Sequence, residues 1–263
     1  MIRKCVLVGA NCLRVGGWLT IAGIIGLVGL QPVAASDVKS DVLETGRLLA
    51  ILLDAGRVSV GNNQSVINDP GKAQKGFTSE VFAVQTVALF KERTGHDLAH
   101  LETAAVPAMA KPLLERLLEE SKKTIDSYQP VIDIPGIKYK GLIPATFATE
   151  AGKRFQNWSG VYLKQTAPEH LIRNPKNKPD QFEIAEMIKM SEASFVRDGE
   201  RIVSATVDDG KAVRVMLPLF YGTACLSCHG TPKGERDISG YAREGGKQGD
   251  LGGAISVKLT VPD

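Results

Sequence analysis

Apolar positions along the chain follow two rhythms. From residue 38 to residue 158 they recur every three to four positions, the spacing of one helix face. Over 38–60, Val42, Leu43, Leu48, Leu49, Ile51, Leu52 and Leu53 stand among polar residues and predict a long amphipathic helix. Asn62 to Phe77 is rich in Asn, Gly, Asp, Pro and Lys and reads as a loop. Ser79 to Arg93 reads as helix, with Gly95 as its stop. Met109 to Ile125 carries the clearest helical signal: Leu113, Leu114, Leu117 and Leu118 form a stripe opposite Glu119, Glu120, Lys122 and Lys123. Ile143 to Trp158 is a shorter helix with Pro144 in its first turn, where a missing N–H costs nothing.

After residue 160 the period shortens. Val161 to Thr166 is strand-like, and Pro179 to Met190 is one more helix, with Phe182, Ile184, Met187 and Ile188 apolar. Three strand runs follow: Phe195-Val196, Ile202 to Val207 and Ala212 to Phe220. Asp198-Gly199 and Asp209-Gly210 separate them, and Asp-Gly favours the positive φ angles of tight antiparallel turns. Val213, Val215, Leu217 and Leu219 share one face, as do Ile255, Val257 and Leu259 of a last strand, Ala254 to Leu259. No internal repeat is visible. The pattern predicts an α+β fold: a helical N-terminal half, then a small antiparallel sheet with helices on it.

The first 35 residues read differently. Arg3, Lys4 and Arg14 precede an uncharged stretch from Val15 to Leu30, and Val33-Ala34-Ala35-Ser36 offers small residues for a cut after Ala35. That is the anatomy of a secretory signal peptide, with an uncleaved membrane anchor as the alternative. Residues 1–35 are therefore expected to be a leader, and 36–263 one exported domain, periplasmic or secreted. Setting the leader's three basic residues aside from the 32 Lys and Arg leaves 29 against 29 Asp and Glu. A neutral domain of ordinary composition, 43% hydrophobic and 23% charged, argues against disorder and against a nucleic-acid binder. Cys5 and Cys12 leave with the leader, so the mature chain keeps Cys225 and Cys228.

Those two belong to Cys225-Leu226-Ser227-Cys228-His229, the C-x-x-C-H attachment pattern of c-type haem. The two thiols add across the two vinyl groups of one porphyrin edge, and the adjacent imidazole reaches the iron. His229 is then the metal ligand, and one motif implies one covalent haem. A thioredoxin-type pair would lie after an early strand, a zinc site needs four ligands, and a disulfide makes no use of His229. Export favours haem independently, because covalent attachment takes place outside the cytoplasm. Nine glycines between Gly222 and Gly253 suit either a close wrap around a flat ring or a loose surface loop. Gly222 and Gly230, flanking the motif, are the better candidates for ring contact.

Four strings carry a family resemblance: GLIPATFA at 141–148, RNPKNKPDQFE at 173–183, TACLSCHG at 223–230 and GDLGGAISV at 249–257. Together they resemble the Tll0287-like family (DUF3365) over roughly residues 38–260. The resemblance implies a PAS-like antiparallel sheet flanked by helices that binds one haem c. It also implies, for some members, a distal cysteine from the helix upstream of the R-N-P string. Here that stretch, Ile143 to Phe155, has no cysteine, and Thr146 falls near the expected position. The sixth ligand is left open among His96, His100, His170, Met109, Met187, Met190, Met216 or none. Arg173, which opens the R-N-P string, suits a haem propionate or a structural salt bridge equally.

The function expected from these residues is one-electron transfer or redox sensing by an exported mono-haem c-type cytochrome, with a redox partner protein and no nucleic acid. Membrane contact is expected only through an uncleaved leader. The alternative is a haem-based gas sensor with an open distal site. No catalytic constellation beyond the haem is visible.

Overall fold

The computed structural model describes residues 35–197 and 201–262; the leader and the Asp198-Gly199 turn lie outside the described residues. The helical half runs α1 (Ala35–Asn62), α2 (Gln64–Ile67), α3 (Ser79–Thr94), α4 (Ala110–Ile132) and α5 (Pro144–Ser159). The sheet half follows with β1 (Tyr162–Thr166), α6 (Gln181–Ser191), β2 (Val203–Val207), β3 (Ala212–Phe220), α7 (Leu226–His229) and β4 (Leu251–Thr260). The strands form one antiparallel sheet in the order β1-β4-β3-β2. This is the α+β architecture expected. Among the described residues, no helix is long and apolar enough to cross a membrane.

α1 is more deeply buried than an amphipathic surface helix. Leu48, Leu49, Ala50, Ile51, Leu52 and Leu53 are all buried, six in a row, so no face of this stretch meets water. The cause is its position: α3, α4 and α5 pack on one side of it and β3 and β4 on the other. Gly46 makes the close approach to the sheet possible, since a Cβ there would sit 2.9 Å from a methyl of Val215. Val213, Val215, Leu217, Ile255, Val257 and Leu259 meet α1 in one continuous core, on the alternating face the sequence predicted.

The opposite sheet face carries a second core. Met187 and Met190 of α6 pack against Met216, Leu251 and Ala254. A polar clamp fixes that helix. Arg214 of β3 donates to Asp180 at 2.8 Å, to Glu183 at 3.1 Å and to the Ser256 hydroxyl at 2.9 Å. Asp180 and Glu183 also form the capping box that starts α6.

Local signals set most boundaries. The Thr78 side chain caps α3 by accepting from the Val81 N–H, and Gly95 ends it in the left-handed conformation. Asp208, Asp209 and Gly210 all take positive φ in the β2–β3 connection, one residue more than the Asp-Gly signal required. Three expectations need correction. Phe195-Val196 is not a strand; Phe195 instead packs against Phe220, ring centroids 6.2 Å apart and planes tilted by 46°, and joins the second core as a loop residue. α4 runs on to Ile132, because buried Ile132 extends the stripe of Ile125 by seven residues and Pro130 arrives only in the last turn. The loop after α1 contains the one-turn α2, which buries Ile67.

Candidate functional site

The C-x-x-C-H residues stand where β3 ends. Beyond Phe220 the chain makes a tight turn over Thr223–Cys225 and enters α7, a single helical turn closed by a hydrogen bond from the Gly230 N–H to the Leu226 carbonyl. Cys225 and Cys228 are three residues apart on this turn and so lie on the same side of it. Both are free thiols and half-buried. Burial pushes the Cys228 thiol above its ordinary pKa.

The chain then loops out from Gly230 and returns at Asp250. The return is tightly bonded rather than loose. Gly246 N–H donates to the His229 carbonyl at 2.7 Å, Gly245 N–H to the Gly230 carbonyl at 3.1 Å, and Gly249 N–H to the Tyr221 carbonyl at 2.8 Å. Gly246 of this loop and Gly252 at the start of β4 seat an aromatic ring of the chain itself. A Cβ on Gly246 would lie 2.7 Å from the Tyr221 ring and one on Gly252 only 2.3 Å from it. The seated Tyr221 ring stacks on the His229 imidazole at 4.9 Å, with the planes 21° apart. Gly222 has nothing within 4 Å of its would-be Cβ, and Gly230 packs against its own turn at Leu226.

His229 Nδ1 lies 2.9 Å from a carboxylate oxygen of Glu244, a contact that engages that nitrogen and leaves Nε2 as the one that could bind a metal. Burial, aided by the Arg173 charge, holds His229 below its ordinary pKa despite Glu244, so the imidazole is neutral near pH 7 and its Nε2 lone pair is available. Arg173 stands beside His229 in a network of ion pairs. Its Nε and Nη2 donate to Glu244 at 3.0 and 3.1 Å, its Nη1 to Asp237 at 2.6 Å, and its Nη2 also to the Cys228 carbonyl at 3.0 Å. No sequence signal pointed to Glu244 or Asp237. They lie 71 and 64 residues from Arg173, in a stretch that reads only as Gly-rich loop.

A cleft of about 670 Å³ opens beside this site, walled by Tyr221, Glu244, Gly246, His170, Met187 and Leu251. The candidates for a sixth ligand stand in different places: His96 is half-buried just after α3, where its N–H donates to Thr94 Oγ1 at 3.1 Å. His170 and Met187 reach the cleft wall. His100 is exposed near Glu102, Met109 belongs to the helical core, and Met190 and Met216 are packing residues of the second core. Thr146 is half-buried on α5, which packs against α1, α4 and β1. Among the described residues, no group of three or more His, Cys, Asp or Glu side chains is arranged to hold a metal ion alone. The donor set on α7 is therefore two thiols and one imidazole.

The Tll0287-like family model matches residues 36–260. This chain belongs to the Tll0287-like family. Among solved structures, the crystal structure of the cyanobacterial haem protein Tll0287 aligns with this member over 58% of its chain and 92% of that one. Identity there is 16% and the TM-score 0.39, so the alignment carries no argument about the site. No curated protein matches the chain.

Proposed function

We propose that this Tll0287-like protein is an exported mono-haem c-type protein for one-electron transfer or redox sensing. One observation carries the reading: two free thiols and a neutral imidazole share one helical turn, and the imidazole keeps Nε2 for a metal. The residues fit the group on three counts. Cys225 and Cys228 can each add S–H across a vinyl C=C, so that no atom leaves and no oxidant is needed. The Glu244 carboxylate against His229 Nδ1 favours the tautomer an iron ligand requires. The Tyr221 hydroxyl is buried without a hydrogen-bond partner, a donor left for a bound group.

Bound haem supplies one-electron iron chemistry, while the chain sets the potential through ligand, burial and hydrogen bonds. Tyr221 fixes the plane of the imidazole, and the bonded loop from Gly230 to Asp250 holds Tyr221. The partner is then a redox protein outside the cytoplasm, met after the leader has directed export.

The test is a pyridine haemochrome spectrum of the exported protein, with and without CO. A c-type spectrum, marking two thioethers, is expected. A b-type spectrum or colourless protein from a strain with working haem c maturation would overturn the proposal. A c-type spectrum that also changes under CO would favour gas sensing over electron transfer.

A further inference from the structure

We propose that Glu244 is a positioning residue for His229: it holds the proton on Nδ1, and its charge lowers the reduction potential of the centre. The proposal rests on the haem reading and goes beyond the attachment motif, which contains no acid. Free imidazole exchanges its proton between two nitrogens, and the partner of one nitrogen decides what the other can do. Glu244 accepts from Nδ1 at 2.9 Å, so the lone pair is on Nε2 before any metal arrives.

The carboxylate is not free to turn away. Arg173 bonds both of its oxygens, at 3.0 and 3.1 Å. Arg173 is itself held by buried Asp237, whose other oxygen takes the N–H and hydroxyl of Ser239 at 2.8 and 2.6 Å. Arg173 Nη2 also donates to the Cys228 carbonyl at 3.0 Å, which ties the network to the attachment turn. Tyr221 stacks on the imidazole and fixes its plane. Each contact removes one way for His229 to rotate or exchange its proton.

The electrostatic consequence follows from burial. Arg173, Glu244 and Asp237 sum to one net negative charge, and the side chains of all three are at most 22% exposed, so water screens them weakly. A carboxylate on the far nitrogen makes the imidazole a stronger donor and favours the oxidised, more positive metal. Arg173 draws on the same carboxylate and moderates the effect. A salt bridge that served the fold alone would change neither tautomer nor potential.

The experiment compares Glu244→Gln with Glu235→Gln in the holoprotein by spectroelectrochemistry. Glu235 is 61% exposed and pairs with Arg243 at 3.7 Å, so its removal deletes the same charge from the same loop without touching His229. Glu244→Gln is expected to shift the midpoint potential positive, with Glu235→Gln at the wild-type value. Equal shifts in both variants, or a haem-loaded Glu244→Gln at the wild-type potential, would overturn the proposal. If Glu244→Gln does not fold, long-range proton–nitrogen correlation spectra of the wild-type full chain before haem attachment decide it, since iron on Nε2 would by itself leave the proton on Nδ1. A protonated Nδ1 on His229 supports the proposal and a protonated Nε2 overturns it. Wild-type protein without covalent haem would overturn the haem reading instead, and the same spectra would then judge the Glu244 contact by itself.

Discussion

Tyr221 gives His229 a fixed orientation that nothing inside the five-residue motif supplies. The ring lies flat on the imidazole and is edged by Gly246 of the loop and Gly252 of β4, so these glycines wrap a side chain of this chain. Gly252→Ala would place a methyl 2.3 Å from the ring, far inside contact distance. We expect it to destabilise the protein by about 1–3 kcal/mol, the ordinary range for overpacking, and to disturb the environment of His229. Denaturant unfolding measures the first effect, and the histidine nitrogen shifts measure the second. A variant with wild-type stability and shifts would show that the seat is not tight. At this scale the sequence revealed Cys225, Cys228 and His229, because their spacing is local. Glu244 was hidden, because a lone acid in a loop has meaning only once the fold brings it to an imidazole 15 residues away.

At the scale of elements, α6 tests how the second sheet face is covered. Glu183 is buried and depends on Arg214, with Lys164 and the Tyr162 hydroxyl also reaching it. Removing one partner of a buried pair leaves the other charge uncompensated. Arg214→Ala is therefore expected to cost about 3–5 kcal/mol, against no more than about 0.5 kcal/mol for Lys91→Ala in the exposed pair with Asp97. Urea midpoints of the two variants check this, and comparable losses would contradict it. Helix extents were readable in α3, α5 and α6, helped by the Gly95 stop of α3 and by Pro144 in the first turn of α5. They failed at Phe195-Val196, because a two-residue apolar run has no period and packs as readily from a loop as from a strand.

At the scale of the whole molecule, acid should loosen the site of the haem-free chain, where no iron occupies His229 Nε2, before the helical core. Burial and Arg173 hold His229 below 6.5, so the unfolded chain binds its proton first and stability falls as pH drops below about 6.5. Asp180, Asp237 and Glu244 follow. Burial opposes their ionisation, but hydrogen bonds outweigh it: the Glu183 N–H and Arg214 for Asp180, Ser239 and Arg173 for Asp237, Arg173 and His229 for Glu244. Each carboxyl is held below its ordinary value, so its contribution is complete above about pH 5 and is lost as pH falls below about 4. Urea midpoints should therefore be highest near neutral pH and decline in two stages in acid. A midpoint that rises between about pH 7 and 5 would contradict this assignment.

The central claim is that Cys225 and Cys228 carry one haem by covalent bonds. The intact mass of the exported chain after denaturation and organic extraction tests it most directly. The account predicts the mass of the processed polypeptide plus one haem, both cysteines resisting alkylation, and loss of that added mass in the Cys225→Ala, Cys228→Ala double variant. A wild-type mass equal to the bare polypeptide, with both thiols open to alkylation, would contradict it.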